Sequence, residues 1–128
     1  MITIKDYFMG RDISHKEEIT DQIRINATKL LEKINPLLES YGKVRVLTSG
    51  WRPPSVNATI PGAAAKSKHM TGDAVDIADA DGSLKRWCLE NLDKLSDLGL
   101  YMEHPSATPT WCHLQQIPPR SGNRVFKP

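Results

Sequence analysis

The residues best suited to chemistry lie in the segment Ser67-Lys-His69-Met-Thr-Gly72-Asp-Ala-Val-Asp76-Ile. His69 and Asp76 offer an imidazole nitrogen and a carboxylate oxygen, and both atoms are good zinc ligands. Gly72 lies between them and allows the chain to turn, so that the two side chains can face one point. The spacing alone also fits a strand whose aspartate faces solvent after a polar loop. A metal site therefore requires a further ligand from elsewhere in the chain.

His113 is the candidate for that third ligand. In a strand over residues 110–115, alternation places His113 and Gln115 on one face, whereas Cys112 points the other way as a packed thiol. Together with His69 and Asp76, His113 would supply three protein ligands and leave the fourth tetrahedral position open. This is the arrangement of a catalytic zinc site, since structural sites fill all four positions with protein ligands.

Glu103 is the candidate for the base that accepts a proton from the attacking water. Residues 100–103 and 110–115 are typical of an antiparallel hairpin. If its turn centres near residues 107–108, Glu103 lies across from His113 on the same face. Directly opposed Cβ atoms are about 4.5–5.5 Å apart, which brings the carboxylate within reach of the site. Alternatively, Glu103 is an ordinary hairpin carboxylate in an ion pair.

Arg52 stands in the motif Ser-Gly-Trp-Arg-Pro-Pro, directly after a strand candidate and in a loop stiffened by two prolines. A guanidinium held there can bind a substrate carboxylate through two parallel hydrogen bonds. Alternatively, Arg52 pairs with an acid at the surface.

The elements that must position these residues follow from the apolar pattern. Apolar residues spaced by three and four predict a helix over residues 19–38. Thr20 or Ser14 would cap its start, Pro36 would kink or break it near Asn35, and Gly42 would end it.

Two strands and a second helix are predicted in the rest of the chain. Residues 44–48 and 74–78 have the composition of strands, and residues 84–95 form a second amphipathic helix. Because the predicted strands and hairpin run antiparallel, we expect a small α+β domain with helices packed on an antiparallel sheet.

Composition limits the classes of protein that fit. The 128 residues suffice for one domain, which we place at residues 1–128. Seventeen Lys plus Arg against fifteen Asp plus Glu leave a net charge of +2, too small for a nucleic-acid-binding surface. No apolar run approaches the roughly 20 residues that cross a bilayer. Two cysteines, Cys88 and Cys112, cannot form a disulfide framework, and we expect both to be unpaired in the core.

The motifs are more specific together than singly. Ser-Gly-Trp-Arg52, then Ser67-x-His69-x-x-Gly72-x-Ala74-x-Asp76 and then Trp111-x-His113 resemble the zinc D-Ala-D-Ala peptidase family. That family includes D,D-carboxypeptidases, D,D-dipeptidases and phage endolysins that cleave peptidoglycan stem peptides. The resemblance covers residues 49–115 and implies the small α+β zinc fold shared with lysostaphin-type peptidases and the Hedgehog signalling domain. The first and last residues of the chain look like those of small phage-encoded members.

The resemblance also implies roles for individual residues. His69, Asp76 and His113 take the positions of the Zn²⁺ ligands. Arg52 takes the position that binds a substrate carboxylate, and Ser67 takes that of a motif serine beside the site.

The catalytic base departs from the pattern of the family. Many members carry a glutamate three residues before the last histidine, where this chain has Thr110. Since related folds place this glutamate at other distances from the histidine, Glu103 is the natural substitute.

The function implied is a zinc-dependent peptidase of the endolysin or D,D-carboxypeptidase type, acting on peptidoglycan stem peptides as a monomer, without nucleic acid or membrane insertion. The alternative is a catalytically weak or inactive zinc-containing module that binds the cell wall or serves in a phage structure. A metal-free structural domain is a second rival. The N-terminus lacks the basic and apolar regions of a signal peptide. We therefore expect synthesis in the cytoplasm, followed by pore-dependent release or action as a virion component.

Overall fold

A computed structural model describes all residues 1–128 and contains six α-helices, one short 3-10 helix (Pro105–Ala107) and one five-stranded sheet. The helices are α1 (Ile4–Phe8), α2 (Arg11–Ser14), α3 (Asp21–Tyr41), α4 (Pro54–Asn57), α5 (Ser83–Glu90) and α6 (Leu92–Leu98). The strands are β1 (Leu47–Ser49), β2 (Ala74–Ala78), β3 (Tyr101–Glu103), β4 (Trp111–Gln115) and β5 (Val125–Phe126). In space the strand order is β1-β2-β4-β3-β5, antiparallel except between β3 and β5. The expected α+β class is therefore confirmed.

Helix α3 forms because one face of it can be buried. The Thr20 hydroxyl accepts a hydrogen bond from the N–H of Ile23 at its start, and Gly42 ends it in the left-handed conformation with φ 83°. Of the kink or break expected near Asn35, the break is wrong, because the helix continues through Pro36 to Tyr41. Its buried apolar residues lie on both sides of the proline, and their packing offsets the lost backbone hydrogen bond.

Strands β2 and β4 form the centre of the sheet. Val75 and Ile77 point into the core and are fully buried, as their alternation predicts. The opposite face of β2 carries Asp76, whose register partner on β4 is His113. Pairing at the middle of the sheet thus brings two candidate ligands together from distant parts of the chain.

Strand β3 joins β4 in the expected hairpin. Tyr101 pairs with Gln115, and Met102 pairs with Leu114. Met102 is fully buried. Since neighbouring residues alternate in direction, Glu103 lies on the other face, the one that carries His113.

Two predicted elements need correction. The strand predicted at residues 44–48 is wrong in its bounds, because Val44 and Val46 are 90% and 65% exposed at the sheet edge. β-branched side chains favour a strand mainly where they can pack on a half-buried sheet surface. The helix predicted at residues 84–95 is two helices, divided at Asn91, whose side-chain amide donates to the carbonyl of Trp87.

The helices and the inner sheet face enclose one hydrophobic cluster, which contains α3 residues together with Val75, Ile77 and Leu114. Cys88 and Cys112 are buried there and unpaired, as expected. None of the helices has the length and apolar composition that crossing a bilayer requires.

The candidate metal centre

Three buried side chains converge on one point of the outer sheet face. His69 Nε2 lies 3.2 Å from Asp76 Oδ1, and His113 Nδ1 lies 2.9 Å from the same oxygen. The three donor atoms all lie within 4.8 Å of one another. His69 comes from the loop before β2, Asp76 from β2 and His113 from β4. The structure therefore brings the three predicted metal ligands together.

The outer nitrogens of both imidazoles face oxygen atoms. His69 Nδ1 lies 2.9 Å from the carbonyl of Gly50, and His113 Nε2 lies 2.8 Å from Gln115 Oε1. The Gln115 amide is oriented by its own nitrogen, which donates to the carbonyl of Ile117. Because both outer partners are acceptors, the outer ring nitrogens carry the protons. The inner nitrogens then direct their lone pairs at Asp76.

This arrangement brings lone pairs together and therefore fits a metal ion. Two imidazole nitrogens and a carboxylate oxygen repel one another at these distances unless a proton or a cation lies among them. Two nitrogens and one oxygen are a suitable donor set for Zn²⁺, and three protein ligands leave a coordination position open. Oxygen acceptors that orient ligand histidines are usual around such ions.

The charges of the site follow from burial and from Asp76. Burial alone would raise the pKa of Asp76, but hydrogen bonds from His113 and His69 in their protonated forms hold that pKa well below its usual range. Burial lowers the pKa of His69 despite the neighbouring carboxylate. For His113 burial acts in the same direction, but the hydrogen bond and charge of Asp76 outweigh it and raise the pKa. Asp76 is thus ionised, as a ligand must be.

Glu103 lies beside the three converging side chains without joining them. Its Oε2 is 3.9 Å from His113 Nδ1, and its side chain is 19% exposed. Burial raises the pKa of Glu103, and the Asp76 charge adds to this effect, whereas His113 opposes it. A carboxylate of raised pKa next to a metal centre is suited to accepting and returning a proton.

The Arg52 side chain contacts the site, and both of its terminal nitrogens also donate to protein oxygens. Its Nη1 donates to Asn57 Oδ1, its Nη2 donates to Ser49 Oγ, and Nη2 lies 3.9 Å from Asp76 Oδ2. Arg52 is 9% exposed, and its Nε–H is buried without a partner. The surface ion pair considered from the sequence is absent, since the carboxylate nearest Arg52 belongs to the site.

Ser67 acts locally in this structure. Its hydroxyl accepts a hydrogen bond from the backbone N–H of His69 at 3.2 Å and so shapes the turn that presents the imidazole. Its predicted contact with substrate stays a prediction.

Two residues of the site were not predicted from the sequence. Gln115 was placed on the correct face, but its hydrogen bond to His113 was not foreseen, although strand alternation could have suggested it. Phe126 on β5 packs its ring edge against His113, with centroids 6.2 Å apart and planes at 83°. It is also the register partner of Glu103. No local pattern indicates a two-residue strand that pairs in parallel with β3.

Comparison with known protein families supports the same class of protein. The family model described as Peptidase M15 matches residues 7–107, and the chain therefore belongs to the M15 peptidase family. This family consists of zinc-dependent peptidases of the D-Ala-D-Ala carboxypeptidase kind, so the resemblance found in the motifs is confirmed. The matched segment ends before His113, whose assignment as a ligand rests on geometry. No curated protein and no solved structure matches the chain significantly.

Proposed function

We propose that this M15 peptidase hydrolyses peptide bonds in bacterial peptidoglycan stem peptides and binds Zn²⁺ through His69, Asp76 and His113. The observation that supports this proposal best is the convergence of three buried lone-pair donors beside the half-buried Glu103. Zinc is proposed on the donor set and on the family, and the peptidoglycan substrate on the resemblance of the motifs.

Different residues of the chain have different roles in the proposed hydrolysis. A bound divalent metal supplies Lewis-acid polarisation of a carbonyl group and lowers the pKa of water. Gly50 and Gln115 hold the two imidazoles in the required tautomers. Glu103 accepts the proton of the attacking water and returns it to the leaving amine. Phe126 covers one side of His113 and helps to exclude bulk water.

The substrate must offer a carboxylate group that the Arg52 guanidinium can bind. Stem peptides carry free carboxylates on D-glutamate, on diaminopimelate where present, and at the terminal D-alanine. Arg52 lies next to Asp76, so a carboxylate directed by Arg52 would lie close to the bond that is cut. An endopeptidase cuts cross-links or internal peptide bonds and releases peptide fragments, whereas a carboxypeptidase releases D-alanine. The products therefore distinguish the endolysin type from the D,D-carboxypeptidase type.

The first prediction separates metal binding from proton transfer. We expect Glu103→Gln to keep a full complement of zinc while its hydrolysis of purified peptidoglycan falls by about 10²–10⁴-fold, because the amide cannot accept the proton. His113→Ala should lose zinc and activity together. Metal content by mass spectrometry and release of amino groups from peptidoglycan give both results.

Glu90→Gln, at the exposed end of α5, is the matched control and should behave like the wild type. Unchanged hydrolysis by Glu103→Gln would remove Glu103 from the mechanism. Zinc-loaded wild type that binds peptidoglycan without hydrolysing any type of it would instead support the alternative of an inactive wall-binding module. Wild type that takes up no metal would support the metal-free structural domain.

A further inference from the structure

Arg11, at the start of α2, lies against the loop that carries Arg52. Its Nη1 donates to the carbonyl of Trp51 at 3.0 Å, directly before Arg52 in the chain. The N-terminal segment is fixed to the same loop at two further points. The N–H of Trp51 donates to the carbonyl of Tyr7 at 3.1 Å, and the N–H of Gly50 donates to the sulfur of Met9 at 3.4 Å. The position of the Arg11 guanidinium is therefore set by the loop itself.

Arg11 has the more accessible donors of the two arginines. Arg52 is 9% exposed, both its terminal nitrogens donate to protein oxygens, and its Nε is buried. Arg11 is only partly buried and commits a single nitrogen, to Trp51. A guanidinium carries five N–H donors in a fixed plane, so most of those on Arg11 are free to bind a ligand.

The two arginines lack a counter-charge of their own. No carboxylate lies within 4.0 Å of Arg11, and the carboxylate nearest Arg52 is Asp76, at 3.9 Å. When a divalent cation is bound, the charges of Asp76 and Glu103 are balanced by that cation. Burial and the neighbouring charge of Arg52 both lower the pKa of Arg11, as expected for cations that no acid neutralises. An anionic ligand would relieve this imbalance.

We propose that Arg11 binds a free carboxylate of the peptide substrate beside Arg52, and that the enzyme therefore selects peptides that carry two carboxylates near the site. This inference rests on the proposed function for the identity of the peptide. Arg11 is then a substrate-contacting residue that sets specificity. The carboxylate that it binds belongs either to the D-glutamate residue or to the C-terminus of the stem peptide, and these two sources can be separated by amidation.

The experiment measures binding and turnover for three synthetic stem pentapeptides. One is the free acid, one is amidated at the D-glutamate α-carboxyl, and one is amidated at its C-terminus. Binding is measured by calorimetry on the zinc-loaded Glu103→Gln protein, and KM and kcat are measured on zinc-loaded enzyme with an intact Glu103. We expect the amide that lacks the carboxylate bound by Arg11 to bind about tenfold more weakly than the free acid, since hydrogen bonds to charged groups are worth about this factor.

Arg11→Gln should weaken binding of the free acid by the same factor and leave binding of that amide unchanged. Its kcat should stay close to that of the wild type while its KM rises. Arg11→Lys should recover part of the lost affinity, because it keeps the charge without the planar fork. Arg86→Gln removes an equal charge from an exposed position on α5 and should change none of these values.

Three results would overturn the proposal. If Arg11→Gln weakens all three peptides equally, Arg11 only positions the loop, and if it weakens none, Arg11 does not contact the substrate. Binding of none of the peptides by the wild-type site overturns it as well. Peptides that bind with the expected preference but are not hydrolysed would refute the proposed function while supporting the carboxylate contact.

Discussion

At the scale of single residues, the site depends on neighbours that fix the direction of each ligand. The inner nitrogens of His69 and His113 face Asp76 because Gly50 and Gln115 accept hydrogen bonds from the N–H groups on the outer nitrogens. With either acceptor missing, the imidazole could rotate or change tautomer, and a lone pair would no longer face the metal position. Ligand identity alone therefore does not define this centre.

The role of Gln115 gives a prediction at this scale. Gln115→Leu removes the acceptor for His113 Nε2–H, and we expect zinc affinity to fall about 10–100-fold, the usual cost of losing such a partner. Competition with a fluorescent zinc chelator measures the affinity. Gln115→Glu keeps an oxygen acceptor at this position and should retain most of the affinity. Equal affinities for Gln115→Leu and the wild type would show that His113 needs no such support.

The sequence was informative about the ligands because their chemistry is carried by residue type. His69, Asp76 and His113 could be selected as zinc donors before any distance was known, and strand alternation placed His113 on one face with Gln115. Arg11 could not be selected in this way. An arginine in a short polar segment has no periodic pattern around it, and its role arises from a single contact with the backbone of Trp51.

At the scale of elements, the loop after β1 is the part of the fold that links the N-terminal segment to the site. Gly50 lies in this loop, where its carbonyl accepts from His69 and its neighbour Trp51 donates to the carbonyl of Tyr7. The hydroxyl of Tyr7, which is fully buried, also donates to the carbonyl of Ala74 on β2 at 2.7 Å. Tyr7 thus ties this loop to the strand that carries Asp76, through its backbone carbonyl on one side and its hydroxyl on the other.

This close packing predicts that Gly50 tolerates no side chain. A Cβ at position 50 would lie 1.9 Å from the carbonyl oxygen of Tyr7, so the backbone of one of the two segments must move. We expect Gly50→Ala to lower the free energy of unfolding by about 3 kcal/mol, at the upper end of the usual cost of overpacking. It should also weaken zinc binding, because the acceptor for His69 moves with the loop.

Urea denaturation of metal-free Gly50→Ala and wild-type protein measures the first effect, and chelator competition measures the second. Lys66→Ala, an exposed change before His69, serves as the control and should leave both values unchanged. A stability for Gly50→Ala within 0.5 kcal/mol of the wild type, the range of ordinary surface substitutions, would contradict the predicted clash.

Among the elements, those with a long periodic or alternating pattern could be predicted, and the short ones could not. The spacing of apolar residues identified α3, β2 and the β3–β4 hairpin, because each of these elements buries one face and its apolar residues recur with the matching period. The same pattern wrongly extended the first strand over two exposed valines and wrongly joined α5 and α6 into one helix across Asn91. Strand β5 was missed because a two-residue strand takes its conformation from its partner. Tertiary contacts decide such segments.

At the scale of the whole molecule, the metal is expected to contribute to stability as well as to chemistry. It would join the loop before β2 to β2 and β4, and in its absence the three donors repel one another unless a proton lies among them. A ligand present at 100 times its dissociation constant stabilises the folded state by about 2.7 kcal/mol. For a domain of this length that corresponds to a rise of about 10 °C in Tm.

We therefore predict that removing zinc with a chelator lowers the Tm by about 10 °C and that adding zinc back restores it. Differential scanning calorimetry of the chelator-treated protein and of the zinc-restored protein measures the two Tm values. Asp76→Asn, which keeps the shape of the side chain but loses the anionic ligand, should respond much less to the chelator. A wild-type Tm that is the same with and without zinc would show that the three side chains do not bind the metal in the folded protein.

The pairing of β2 with β4 also sets the order of events during folding. The contact between Asp76 and His113 joins residues 37 positions apart. Closing a loop of that length has an entropic cost that must be met before the contact can form, so this pairing belongs to the slower steps. Before this pairing forms, His113 is remote from His69 and Asp76. Capture of the proposed metal ion would therefore follow formation of the sheet, and the ion would stabilise a structure that the apolar core has already built.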